Sequence, residues 1–120
     1  MKFNIPAFST EQVEAAKAKY GSKCLKIVNV FVDGNLEESQ DVQEEEPVPF
    51  LIKRPSPALV YLLSSKEMEN NIEKSSSAMI ANCVLAGDAE LLENDASAFT
   101  ELVEVIGSLT KSARSSLKKV

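Results

Sequence analysis

The chain has 120 residues, 44% hydrophobic and 26% charged, a balance that suits one folded domain and excludes a disordered chain. It has no histidine, which removes histidine-based catalytic triads, His-ligated metals and imidazole pH switches. Eighteen acids against thirteen bases give a net charge of -5, which favours solubility and argues against a nucleic-acid backbone as partner. No apolar run approaches the roughly 18 residues of a membrane span, so no membrane partner is expected. Met1 to Thr10, with Pro6 and polar side chains, lacks the apolar stretch of a signal peptide, so a cytoplasmic location is expected.

In chain order, Phe8-Ser9-Thr10-Glu11-Gln12-Val13 carries a helix start. Ser9 is placed to accept from the Gln12 backbone N–H, Gln12 to reach back, and Phe8 to pack on Val13. The spacing predicts a helix over Thr10 to Tyr20, closed by Gly21. Cys24 to Val32 is β-branched and aromatic and reads as a strand. Its alternate faces (Val28, Val30, Val32; Leu25, Ile27, Phe31) are both apolar, which predicts cover on two sides. Asp33-Gly34-Asn35 supplies a turn.

Glu37 to Glu46 holds six acids and no base. It reads either as a solvated loop that keeps a sheet edge from pairing or as a docking site for a basic partner. A second strand is expected over Val48 to Lys53, and its bracketing prolines, Pro47, Pro49 and Pro55, predict a sheet edge. From Ser56 onward the period changes from two to 3.6. Ser56 and Pro57 suit a cap and first helical position, with Leu59, Leu62 and Leu63 as a short apolar face. Apolar positions from Ile72 to Leu85 predict a second helix stopped by Gly87. Asp88 to Asn94 reads as an acidic connection with room for one helical turn. Asp95 then caps a last long helix with a stripe of Phe99, Leu102, Val103, Ile106, Leu109, Ala113 and Leu117, which Gly107 weakens or bends. Lys111, Arg114, Lys118 and Lys119 complement its C-terminal dipole.

Little of this carries bond-making chemistry. The four glycines are isolated, so no Gly-rich phosphate loop can be built. Asp88 with Glu90, and Glu93 with Asp95, are ordinary surface carboxylates without an inferable apolar pocket to raise a pKa. The loop lacks the alternating oxygen ligands of an EF-hand. Ser75-Ser76-Ser77 has no imidazole to activate it. Cys24 and Cys83 lie in apolar patterns without metal-ligand spacing and read first as buried, reduced thiols, with a disulfide or a reactive thiol as alternatives. No cofactor or metal is expected. What remains is a set of apolar helical stripes in a small chain, either sealed in its own core or partly open to a partner's apolar helix or another copy.

The order of features resembles small tailed-phage proteins of the tail assembly chaperone type, encoded beside the tape-measure gene. The resemblance rests on Thr10-Glu11-Gln12 and Tyr20-Gly21 at the ends of the first helix, the strand Leu25 to Val32, and Asp33-Gly34. It continues through Phe50-Leu51-Ile52-Lys53-Arg54-Pro55-Ser56 and Asn82-Cys83-Val84-Leu85-Ala86-Gly87-Asp88, and spans about Ser9 to Val120. It implies a non-enzymatic role: coating apolar helical stretches of a tape-measure protein in the host cytoplasm while tail-tube subunits assemble. The acidic stretch Glu37 to Glu46 is longer than expected between paired strands of such a protein, and no catalytic residue transfers.

The sequence is therefore read as one α+β domain over residues 1–120. An N-terminal helix and a small antiparallel hairpin occupy residues 10–55, with the acidic loop at 37–46, and a helical half of three to four helices fills 56–120. The expected partner is a tape-measure-like helix, with self-association as a second mode. Candidate core or contact residues are Leu59, Leu62, Leu63, Phe99, Val103 and Ile106. The competing functions are a structural or regulatory adaptor of a virion or host complex and, third, an enzyme using acidic residues and a metal.

Overall fold

The computed structural model describes residues 2–32 and 47–110. The turn at Asp33, the acidic loop 37–46, Ala113 and Leu117 of the last stripe, and the basic end from Lys111 lie outside the described residues. The fold is α+β: an N-terminal helix, a three-stranded antiparallel sheet and C-terminal helices.

Helix α1 (Thr10–Tyr20) starts where the chemistry of Ser9 allows. The Gln12 backbone N–H donates to Ser9 Oγ at 3.2 Å, offsetting one of the unpaired donors of the first turn. Gly21, at φ 83°, ends the helix, and its N–H donates to the Lys17 carbonyl. A 3-10 turn (Ser22–Cys24) leads into β1 (Leu25–Val30), which pairs antiparallel with β2 (Val48–Lys53) in an unbroken register from Leu25 opposite Lys53 to Val30 opposite Val48.

After β2, Ser56 caps α2 (Pro57–Leu63), accepting from the Leu59 N–H, with Pro57 at the first helical position where its missing N–H costs nothing. A single turn, α3 (Lys66–Glu69), precedes α4 (Ile72–Cys83), which Asn71 caps. The chain then becomes extended as β3 (Val84–Ala86), turns at Gly87, and forms α5 (Ala89–Asn94) and α6 (Ala96–Leu109). Asp88 caps α5, and Asp95 caps α6 by accepting from the N–H groups of Ser97 and Ala98.

Three expectations need correction. The helix read through Leu85 ends at Cys83, because β-branched Val84 and its two successors gain more by pairing with β2: Ile52 lies opposite Val84 and Leu51 opposite Ala86. That pairing makes β2 the central strand, in the order β1-β2-β3, and not an edge. Pro49 is accommodated in this central strand because β3 reaches only Leu51 and Ile52, so that at Pro49 the strand is paired with β1 alone. Finally, β1 is not covered on both sides. Val28 and Val30 pack into the main core, while Ile27 and Phe31 on the other face are 53% and 61% exposed.

The main core lies between the sheet and the C-terminal helices. Phe50 and Ile52 of β2 meet Leu59, Ile80, Cys83, Leu92, Leu102 and Ile106. On α6 the buried positions Ala98, Leu102 and Ile106 recur every four residues, with Phe99, Val103 and Leu109 packed alongside. The helix runs through Gly107 without interruption. A smaller core on the opposite face joins Ala16 of α1 to Leu51 and Ala86, edged by Phe8, Val13, Tyr20 and Leu25. Gly87 stands where the backbone crosses the Phe50 ring: a Cβ there would lie 2.1 Å from Phe50 Cδ1.

Candidate protein-binding surface

Helix α2 has the sequence Pro57-Ala58-Leu59-Val60-Tyr61-Leu62-Leu63, without one charged or hydrogen-bonding side chain apart from the Tyr61 hydroxyl. At about 100° per residue, Leu59 and Leu63 project within about 40° of each other, and Tyr61 points to the opposite side. The structure follows that geometry: Leu59 is 4% exposed in the core, Leu63 packs against it, and Tyr61 is 78% exposed. Val60 and Leu62, on the two flanks, are 40% and 43% exposed. An all-apolar helix is normally buried all round, and this one is buried on one side.

The backbone of α2 leaves little polar character on that outer side. The Val60 carbonyl accepts from both Ser64 N–H and Ser64 Oγ, and the Tyr61 and Leu62 carbonyls accept from Ser64 and Ser65 N–H. The last turn is thus closed internally, and what α2 presents outward is Val60, Tyr61 and Leu62. Beyond it, Ile72, the first residue of α4, is 83% exposed.

Of the six residues singled out from sequence, Leu62 alone lies on this open surface. Leu59 and Ile106 are buried, and Leu63, Phe99 and Val103 are partly buried against the main core. Phe99 also stacks on Phe3, with ring centroids 6.2 Å apart. The stripe of α6 therefore serves mainly the protein's own interior. Sequence reasoning missed Val60, Tyr61 and Ile72, although the absence of any charge from Pro57 to Leu63 was a visible signal that no face of α2 is built for water.

Other features offer less. An open, shallow groove of about 450 Å³ is lined by Ile5, Phe8, Val48, Pro49, Gly87 and Asp88, and the Asp88 carboxylate is already engaged as the α5 cap. The Asp95 carboxyl is held below the usual carboxylate range, chiefly by the Ser97 hydroxyl and then by the Ala98 N–H, which marks a helix cap. Burial pushes the Cys83 thiol up to about 11, which keeps it protonated and unreactive. Cys24 is exposed, against the expectation of two buried thiols, because it sits in the 3-10 turn before β1 where no helix covers it; both cysteines are free. Among the described residues no group of three or more Cys, Asp or Glu is placed to hold a metal ion, and no helix is long and apolar enough to cross a membrane.

Comparison with protein-family models, curated proteins and solved structures finds no match to this chain.

Proposed function

We propose that this protein is a non-enzymatic binding protein of the tail assembly chaperone type, which covers apolar helical segments of a tape-measure-like protein in the host cytoplasm. The observation that carries the reading is α2, a charge-free helix whose outer half (Val60, Tyr61, Leu62) is open to solvent. An apolar helix laid along that side would remove both apolar surfaces from water at about 25 cal/mol per Å². The net charge of -5 would keep the resulting complex dissolved.

The test is light scattering of a tape-measure protein during refolding, with and without this protein. Suppressed aggregation is expected from the native chain, and loss of suppression from the double substitution Tyr61→Lys, Leu62→Lys. Both side chains are exposed, so circular dichroism and thermal unfolding of the variant should match the native chain within a few tenths of a kcal/mol. Unchanged suppression by that variant would remove α2 from the mechanism, and no suppression by the native chain would remove the chaperone reading.

A further inference from the structure

The two edges of the sheet are treated differently. Along β3 the N-terminal segment crosses, and the Pro6 carbonyl accepts from the Gly87 N–H at 2.9 Å. The outer edge of β1 has no such cover: among the described residues no backbone group bonds to it. Six residues long, regular in register and without proline or bulge, β1 carries only one of the usual devices that keep a sheet edge from pairing, the charge of Lys26. Its free side also carries Ile27 and Phe31, exposed on the face that α1 leaves bare.

The segment Ile27-Val28-Asn29-Val30-Phe31 is a chemical palindrome about Asn29. An antiparallel strand of the same sequence, related by a two-fold axis at Asn29, sets Ile27 against the second copy's Phe31 and Phe31 against its Ile27. Val28 and Val30 pair in the same way on the other face, and Asn29 meets Asn29. Only a copy of this chain is guaranteed to match at every position, which is the signature of an isologous interface. Lys26 does not oppose the pairing directly: in this register it falls opposite the second copy's Val32 and not opposite another lysine.

We propose that β1 is a homodimer interface, joining two three-stranded sheets into one six-stranded antiparallel sheet through an Asn29–Asn29 two-fold. The surface is separate from α2, so the dimer stands or falls independently of the chaperone reading.

The test combines mass and register. Sedimentation equilibrium of the full chain should give a concentration-dependent dimer, and Ile27→Lys with Phe31→Lys should weaken it roughly 30-fold, since the two symmetry-related Ile27–Phe31 pairs are both lost. Tyr61→Lys, on α2, should leave it unchanged. Asn29→Cys in a Cys24→Ser background should form an intermolecular disulfide on mild oxidation. Residues directly opposite across an antiparallel pair lie about 4.5 to 5.5 Å apart at Cα, within disulfide reach. Lys26→Cys in the same background should not crosslink. A monomer at every concentration overturns the proposal. So does a dimer insensitive to the lysines at 27 and 31, or crosslinking through position 26 in preference to 29.

Discussion

On one face of the sheet, Phe50 and Ile52 are met by side chains from α2, α4, α5 and α6, whereas on the other the buried cover is Ala16 of an 11-residue helix with Leu51 and Ala86 beneath it. The first face is closed by large aliphatic and aromatic groups. The second is closed by α1 only part of the way across, with Phe8, Val13 and Tyr20 partly buried at its margin, so Leu25 is tucked under α1 while Ile27 and Phe31 beyond it stay open. The difference is one of cover: most of the buried apolar residues lie on the helical face, and the apolar side chains that the sheet itself leaves open lie where α1 runs out.

The strongest way to break this arrangement is at Gly87. A Cβ at that position would lie 2.1 and 2.7 Å from two atoms of the Phe50 ring, and Phe50 is fully buried at the centre of the main core. Neither the ring nor the β3 turn has room to give. Gly87→Ala is expected to cost about 4 kcal/mol, a large share of the stability of a marginally stable domain. Urea denaturation followed by far-ultraviolet circular dichroism measures it.

Truncations on opposite faces sharpen the contrast. Leu102→Ala removes a fully buried side chain from α6 and should cost about 3 kcal/mol through lost burial and a residual cavity. Val13→Ala, on the partly buried side of α1, should cost about 1 kcal/mol, because less of the side chain leaves water on folding. Equal costs in the same urea titration would mean that α1 contributes as much as the helical face.

Much of the local architecture was legible in the sequence because it depends on neighbours in the chain. Ser9, Ser56 and Asp95 cap helices whose first residues follow at once, and the six-residue run from Val48 to Lys53 is a strand whatever surrounds it. The misreadings concern contacts between distant segments. Val84 and Leu85 fit a helix by period and become a strand only because β2 lies alongside, and that same pairing moves β2 from the edge to the centre. Ile27 and Phe31 look like core residues by type, and their exposure is decided by where α1 ends in space. The same limit applies to the candidate site. The apolar composition of α2 could be read directly, whereas the burial of Ile106 and the openness of Tyr61 depend on which stripe the sheet claims.

The two cysteines report on the same difference in cover. Cys83 lies in the main core with its thiol raised from 9.0 to about 11, whereas Cys24 is exposed. Because the buried thiol binds its proton more tightly in the folded state, its contribution is complete below pH 9. It is lost as pH rises through 11, so stability should fall by about 2 kcal/mol across that window relative to Cys83→Ala. At neutral pH one thiol per chain should react with a disulfide reagent in the native protein and two in denaturant. Reaction of both in the native state would show that the helical face opens as readily as the other.

The smallest expected effect is a gain. Gly107 lies inside α6, one residue after the buried Ile106, and the helix carries on past it to Leu109. Unlike Gly87, it has space: a Cβ would meet the Met79 Cε at 3.7 Å, an ordinary van der Waals contact with a flexible thioether. The Gly107 backbone is helical, so alanine fits without strain and reduces the freedom of the unfolded chain. Gly107→Ala should therefore stabilise the protein by about 0.7 kcal/mol, read as a rise in the urea midpoint at constant slope. A loss instead would mean that Met79 cannot yield, and that the helical face is packed as tightly at its α4–α6 margin as it is around Phe50.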